Sequence, residues 1–127
     1  MSYHKINIDD LNFFTKIVGS DNIFSSEEVL QEYSHDETED LSFIPETVVK
    51  PTDSIQISEI MKYCNMKNIP VTPCGARTGL SGGSLPVMSG VVLSTEKLNS
   101  ILEIDERNLQ STVEPGVINE VFQNAVK

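Results

Sequence analysis

The stretch "TVVKPTDSIQISEIMKYCNMKNIPVTP", residues 47–73, contains the strongest secondary-structure signals in the chain. It opens with a β-branched run that Pro51 ends, and it closes with the apolar run "IPVTP"; both are typical of short strands. Between them, Asp53 is placed to cap a helix of about 14 residues, with Gln56 three positions on as in a capping box. One apolar face of this helix is predicted from residues spaced at i, i+3, i+4 and i+7, which are Ile57, Ile60, Met61 and Cys64. A strand, a helix and a strand at this spacing predict a parallel βαβ unit.

The chain after this unit predicts a third strand, a hairpin and a last helix. "GVVLS" (residues 90–94) has the composition of a buried strand. "ILEID" and "LQSTVE" alternate apolar and polar residues on either side of "ERN", which suits a short hairpin loop. Beyond Pro115 and Gly116, apolar residues recur at helical spacing, at Ile118, Val121, Phe122 and Ala125. The sequence stops close to the end of that helix, so we expect a chain truncated at its C-terminus.

The preceding residues, 1–46, predict an acidic and helical N-terminal leader. They carry 11 acidic residues against 2 lysines, whereas the rest of the chain carries 8 acidic and 7 basic residues. Two short helices are expected, the first capped by Asp9 or Asp10 and the second by Ser25 or Ser26. This charge argues against nucleic acid as a partner. We interpret the leader as a solvated segment that keeps the protein soluble, in preference to an interaction surface.

Several classes of protein are disfavoured by composition. No apolar run approaches the roughly 20 residues that a membrane span needs, and "MSYHKINIDD" has neither the charge nor the apolar core of a targeting peptide. A cytoplasmic location is therefore predicted. Cys64 and Cys74 lack metal-like spacing and are expected to be buried thiols. His4 and His35 stand apart from any cysteine, so no metal site is predicted.

A glycine-rich loop, "CGARTGLSGGS" (residues 74–84), follows the second strand of the βαβ unit. It holds four glycines, three hydroxyl side chains and one arginine in eleven positions. The loop does not match the dinucleotide-binding motif G-x-G-x-x-G, because Arg77 stands where the second glycine is needed. It does not match a P-loop either, because Leu80 replaces the second glycine of that motif. Successive backbone N–H groups and the Arg77 guanidinium can still bind an anion. Two interpretations remain open, a phosphate-binding loop and a glycine-rich connection packed against a neighbouring strand.

The motifs taken together resemble one enzyme family. They are a Tyr-x-x-Asp-x-Thr at Tyr33, Asp36 and Thr38, the "NIPV" strand, the "GARTGLSGG" loop, "GVVLS" and "VEPGV". Over residues 33–127 the chain resembles the start of FAD-linked oxidases of the vanillyl-alcohol oxidase (PCMH-type) superfamily. Within that superfamily it is most similar to the branch of glycolate oxidase flavoprotein subunits and D-lactate dehydrogenases.

The resemblance implies an α+β fold, the PCMH-type FAD-binding domain. The first subdomain would be a short parallel βαβ sheet with flanking helices, followed by the opening hairpin of the second subdomain. Residues 47–127 would then be a partial FAD-binding domain, truncated at its C-terminus.

The resemblance also implies a site. The backbone of the loop would cradle the FAD pyrophosphate through Gly75, Ala76, Arg77, Thr78 and Gly79, with Gly83 and Ser84 touching the nucleotide further along. Many relatives have glycine at positions 76 and 77, so the part that Arg77 plays is open. Relatives that tether flavin covalently in this loop use a histidine, and Thr78 stands at the matching position, so non-covalent FAD is expected.

The activity implied is that of a flavin-dependent dehydrogenase or oxidase acting on the CH–OH group of a small 2-hydroxy acid. The family's catalytic residues would lie beyond Lys127, so no catalytic residue is assigned, and this chain alone is expected to be inactive and to self-associate through its unpaired edge. Two alternatives stay open. One is a stand-alone, non-catalytic module of the same fold, and the other is a relative acting on another substrate, such as a sugar oxidase or an enolpyruvyl reductase.

Overall fold

The structure is a computed structural model of the chain and describes residues 3–35, 41–76 and 83–127. Its helices are α1 (Ile8–Val18), α2 (Glu27–Glu32), α3 (Ser54–Lys67) and α4 (Asn119–Ala125). Its strands are β1 (Ile23–Phe24), β2 (Thr47–Val49), β3 (Val71–Cys74), β4 (Val91–Ser94), β5 (Ile101–Asp105) and β6 (Gln110–Val113).

The main sheet has the strand order β1-β2-β4-β3. Strands β2 and β3 both pair in parallel with β4, and β1 pairs antiparallel with β2. The predicted parallel βαβ unit is confirmed, but β4 lies between its two strands. All of β4 is buried, because a central parallel strand is covered on both faces, and this explains the unbroken apolar run "VVL". Strand β1 was not predicted because it is only two residues long.

Helix α3 connects β2 to β3 and begins as predicted. The Asp53 carboxylate caps it by accepting a hydrogen bond from the Gln56 backbone N–H at 2.8 Å. The capping box is not completed, since the Gln56 side chain accepts from the Thr52 N–H at 2.7 Å. Ile60 and Cys64 are buried, whereas Met61 is 45% exposed, so the apolar face is narrower than its spacing predicted.

Helix α1 has a capping box whose cap lies two residues before the earlier of the two predicted caps. Asn7 is the cap and accepts from the Asp10 N–H at 3.0 Å, while the Asp10 carboxylate accepts from the Asn7 N–H at 2.9 Å. The prediction of Asp9 or Asp10 as the cap was therefore wrong. Both residues lie inside the first turn, where a carboxylate stabilises the helix by interacting with the positive end of its dipole. Ser26 does occupy the cap position of α2, but its side chain makes no capping hydrogen bond.

The N-terminal segment forms part of the core. Phe14 of α1 is fully buried and packs in one cluster with Val49, Ile60 and Val91, and partly buried Phe13 stacks on Tyr63 of α3 with ring centroids 3.9 Å apart. Helix α1 thus covers the same face of the sheet as α3. This packing contradicts a solvated segment, because burying large aromatic side chains stabilises the fold. The domain boundary between residues 46 and 47 stays a prediction.

The opposite face of the sheet carries a second, smaller cluster. It contains Tyr33, Val48, Cys74 and Val92, with Phe24 and two side chains of α2 packed beside it. Successive valines of β2 and β4 point to opposite faces, so Val48 and Val92 lie here while Val49 and Val91 lie under α1 and α3. Cys64 and Cys74 are buried and form no disulfide with each other, as predicted.

The C-terminal part forms a separate hairpin and a short helix. Strands β5 and β6 pair antiparallel, with Ile104 opposite Ser111. The turn between them spans residues 106–109, one more than predicted, and Leu109 adopts a left-handed φ of 56°. Leu102 and Leu109 are 63% and 91% exposed. The hairpin and α4 were predicted correctly, but they leave apolar side chains at the surface.

Within the residues that the structure describes, no helix is both long and apolar enough to cross a membrane. The same residues contain no group of three or more histidine, cysteine and acidic side chains placed to hold a metal ion.

Asp10 is the buried polar centre of the α1–α3 contact. Besides the Asn7 N–H, its carboxylate is hydrogen-bonded to His4 Nε2 at 2.7 Å and accepts from the Tyr63 hydroxyl at 2.5 Å. Burial raises the pKa of Asp10, but the hydrogen bonds from Tyr63, Asn7 and His4 outweigh it and lower the pKa below its ordinary value of 3.8. Burial and the bond to Asp10 raise the pKa of Tyr63 to about 12. The carboxylate therefore joins the N-terminal segment to α3.

Replacing Asp10 by asparagine should lower the free energy of unfolding at pH 7 by about 1–3 kcal/mol, because a buried acceptor is lost. Since the folded pKa is lowered, the stabilisation is present above 3.8 and is lost as pH falls through the folded pKa. The difference between wild type and Asp10→Asn should therefore shrink between pH 5 and pH 2 in urea titrations. Asp9→Asn, at an exposed neighbour in the same turn, is the control. A difference that does not depend on pH would contradict this account.

Candidate cofactor-binding cleft

Three chain segments leave the main sheet at one edge. The parallel strands β2, β3 and β4 all point toward it, and their ends are followed by Lys50, by Gly75, and by Thr95 and Glu96. In sheets of this kind, ligands bind in the crevice beyond the carboxyl ends of the strands. The fold therefore places the start of the glycine-rich loop where a ligand site is expected.

A cleft of about 650 Å³ lies at this edge. Ligand cavities commonly measure roughly 300–1,000 Å³, so this one has a suitable size for a cofactor. One wall is the loop after β3 and the turn after β4, and the other wall is the segment after β6. The described residues that line it are Gly75, Ala76, Glu96, Asn99, Pro115, Gly116, Val117, Ile118, Asn119 and Val121.

The sequence-predicted site residues are only partly placed by the structure. Gly75 and Ala76 line the cleft. Gly83 and Ser84 are described but are not among the residues lining it. Arg77, Thr78 and Gly79 lie outside the described residues. The proposed contacts of all these residues with a cofactor stay predictions.

Sequence reasoning missed the second wall. "VEPGV" was noted as a family motif, but nothing in the sequence places Pro115 to Val121 opposite Gly75. The wall is held by Gly116, whose N–H donates to the Leu98 carbonyl at 2.6 Å. A Cβ at Gly116 would lie 2.1 Å from the Thr95 carbonyl oxygen, so only glycine allows this approach of two backbones.

Gly75 differs from Gly116 in this respect. Its φ lies outside the left-handed region, and a Cβ built on it would have no described heavy atom within 4 Å. Neither backbone conformation nor packing among the described residues accounts for glycine here. Open space in front of a backbone that faces a cleft is what a cofactor diphosphate requires, because it lets the N–H groups approach closely. The residues present therefore fit a nucleotide cofactor.

A polar network borders the cleft beside Gly75. Glu96 Oε1 accepts hydrogen bonds from the Tyr33 hydroxyl and from Ser94 Oγ, the latter at 2.9 Å, and it lies 3.2 Å from Lys50 Nζ. Lys50 Nζ also lies 4.8 Å from the centroid of the Phe24 ring. The network joins α2, β2 and β4, and each of its members stands at or near the end of an element.

The ionisation states in this network follow from the contacts. Burial raises the pKa of Glu96, but the bonds from Tyr33, Ser94 and Lys50 outweigh it and hold that pKa below its ordinary value. Burial lowers the pKa of Lys50, yet Tyr33 and Glu96 raise it overall. Burial and the bond to Glu96 raise the pKa of Tyr33. At neutral pH the cleft therefore contains a carboxylate whose charge is balanced by an adjacent ammonium group.

Comparison with known proteins identifies the family. A family model described as "FAD binding domain" matches residues 45–127, which is more than half of the chain. The chain belongs to this FAD binding domain family. FAD is therefore the cofactor of the family to which the cleft belongs, as the sequence predicted. The match includes both walls of the cleft.

Two curated relatives are similar to the chain. Glycolate oxidase subunit GlcD of Bacillus subtilis (strain 168) is 39% identical over 103 residues, covering 81% of this chain and 22% of the relative. D-lactate dehydrogenase of Anaerostipes hadrus is 34% identical over 127 residues, covering 98% of this chain and 26% of the relative. The chain thus spans about a quarter of the length of these relatives.

Solved structures agree on the fold. A p-cresol methylhydroxylase structure superposes with a TM-score of 0.80 at 26% identity, covering 95% of this chain and 25% of that one. An alkyldihydroxyacetonephosphate synthase superposes with a TM-score of 0.84 at 13% identity, covering 98% and 27%, and shows the fold alone. The predicted α+β fold of the PCMH type is confirmed.

The two cleft glycines should respond differently to alanine. Gly116→Ala should lower the free energy of unfolding by more than about 1 kcal/mol, because the new Cβ forces the backbone contact apart. Gly75→Ala should be neutral or stabilising by up to about 1 kcal/mol, since it meets open space and restricts the unfolded chain. Thermal and urea unfolding of both variants measure this. Equal destabilisation by the two changes would show that the contrast between the two glycines is wrong.

Proposed function

We propose that this chain is the FAD-binding part of a flavin-dependent dehydrogenase or oxidase of small 2-hydroxy acids, of the glycolate or D-lactate type. The observation that carries the proposal concerns Gly75, which lines a cleft beyond the carboxyl ends of the parallel strands. Neither its backbone conformation nor the described atoms around it require a glycine at this position. Membership of the FAD binding domain family supports the cofactor. The relatives named for glycolate, D-lactate and D-2-hydroxyglutarate support the substrate class.

The two walls of the cleft would contact different parts of the cofactor. The backbone N–H groups from Gly75 to Gly79 would face the diphosphate, and Gly83 and Ser84 would contact the nucleotide further along. Such groups bind anions because their aligned dipoles present partial positive charge without a counter-ion. On the other wall, Val117, Ile118 and Val121 offer apolar surface that excludes water. FAD, when bound, supplies the acceptor for the two electrons removed in oxidising a hydroxyl group to a carbonyl group.

FAD is proposed to bind without a covalent link to this part of the protein. By the resemblance, Thr78 stands at the loop position where tethering relatives carry histidine, and a hydroxyl is a weak nucleophile without an adjacent base. The two thiols are buried, and burial raises the pKa of Cys64 to about 12. A thiol that stays protonated at neutral pH is a poor nucleophile.

The decisive experiment is Gly75→Val in the complete natural protein. The variant should purify without flavin, because the side chain fills the space in front of the backbone, and circular dichroism should match wild type. Ala125→Val, an exposed position that does not line the cleft, is the matched control and should retain flavin. Flavin is released by acid precipitation and measured in the supernatant, where non-covalent binding places it. Stoichiometric flavin in folded Gly75→Val would contradict the proposed site, and colour in the wild-type pellet would contradict non-covalent binding.

Self-association of this 127-residue chain is also proposed. The hairpin, α4 and the residue before α4 expose apolar side chains, among them Leu102, Leu109, Ile118 and Val121. Within the described residues β5 and β6 form a two-stranded sheet whose outer edges pair with no further strand. Sedimentation velocity over a concentration series should show species larger than a monomer, and Leu102→Lys with Leu109→Lys should remove them. A wild-type chain that stays monomeric at high concentration would contradict this.

A cytoplasmic location is proposed as well. Cys64 and Cys74 are buried and do not form a disulfide, which suits a reducing compartment, where disulfides are rare. Fractionation of cells that express the natural protein tests this, and recovery from the membrane fraction or the medium would contradict it.

A further inference from the structure

Glu96 has one carboxylate oxygen that the fold does not use. All three of its side-chain partners, Tyr33, Ser94 and Lys50, are bound to Oε1. Among the described residues, Oε2 has no hydrogen-bond partner. The side chain is 45% exposed and lines the cleft next to Gly75. The network thus holds the carboxylate through Oε1 and leaves Oε2 without a bond to the described residues.

A carboxylate is an unexpected neighbour for a diphosphate. Two like charges a few ångströms apart repel, and the repulsion grows as water is excluded. Lys50, 3.2 Å from Oε1, balances the charge, and only 16% of its side chain is exposed. A contact that only joined β2 to β4 would not need a partly exposed carboxylate beside the cleft. A carboxylate there is favourable if the ligand brings a hydrogen-bond donor to it.

FAD carries such donors on both sides of its diphosphate. A ribityl chain follows one phosphate and a ribose follows the other, and both carry hydroxyl groups. We propose that Glu96 is a cofactor-binding residue whose Oε2 accepts a hydrogen bond from a sugar hydroxyl of the bound nucleotide. Tyr33, Ser94 and Lys50 are then positioning residues that act through Glu96. This inference rests on the proposed function, since it requires FAD in this cleft.

The test measures ligand affinity in the apo-form of the complete natural protein. Glu96→Ala should weaken FAD binding by at least about tenfold, the usual effect of losing a hydrogen bond to a charged acceptor. The same change should leave the affinity for inorganic pyrophosphate equal or higher, because pyrophosphate has no sugar hydroxyl and meets one carboxylate fewer. ADP and FMN distinguish the two sources of the hydroxyl. A loss with ADP assigns it to the ribose, and a loss with FMN assigns it to the ribityl chain.

Glu96→Gln is the second variant and guards against misfolding of the alanine variant. Its amide oxygen can still accept from Tyr33 and Ser94, and its amide nitrogen can donate to a hydroxyl oxygen, so an intermediate loss of FAD affinity is expected. Unchanged FAD affinity in both variants would overturn the inference. An equal loss for FAD and pyrophosphate would also overturn it, because the role would then be structural. Failure of the wild-type apo-protein to bind FAD would instead contradict the proposed function.

Discussion

Parallel pairing of β2 and β3 with β4 is the constraint on which the rest of the structure depends. Parallel strands end at the same edge, so this pairing gathers three separate chain exits within one region. Those exits supply Lys50, Gly75 and Glu96, which are up to 46 positions apart in the sequence. The pairing also buries β4 on both faces, and α1 and α3 cover one face while Tyr33 and α2 cover the other. The position of the cleft therefore follows from the direction of the strands, and the side chains then determine its chemistry.

Two glycines border this cleft, and their structural roles differ. Gly116 lets the chain touch itself, because its backbone lies against the carbonyls of Thr95 and Leu98. Gly75 has no such contact within the described residues and leaves space open. The first brings the two walls together, and the second leaves room in which the proposed diphosphate could approach the backbone. Glu96 and Lys50 add a carboxylate and an ammonium group 3.2 Å apart, so the carboxylate beside the cleft is ionised and its charge is balanced.

Much of the local structure could be predicted because the signals are local. Asp53 lies directly before the first turn of α3, and the valine-rich runs of β2 and β4 are bounded by proline or glycine. The wrong predictions concern helix caps and buried faces that depend on residues distant in the sequence. Asn7 caps α1, and Asp10, predicted as a possible cap, is the third residue of the helix and is hydrogen-bonded to His4 and Tyr63. Met61 has the spacing of a core residue, but it is 45% exposed and is not part of the core cluster. The charge of the N-terminal segment predicted a solvated leader, but Phe14 of this segment is buried in the core.

For the site, the sequence alone showed a glycine-rich loop, and the resemblance of its motifs to a known family implied FAD as the cofactor, because such motifs consist of residue types at short spacings. It also determined that the loop follows a strand of a βαβ unit. Only the tertiary structure decided that β4 lies between β2 and β3, that residues 115–121 form the opposite wall, and that Tyr33, Lys50 and Glu96 meet. The physical reason is that strand order and the contact at Gly116 join segments tens of residues apart. Contacts at that separation depend on packing of the whole core and leave no periodic signal in the chain.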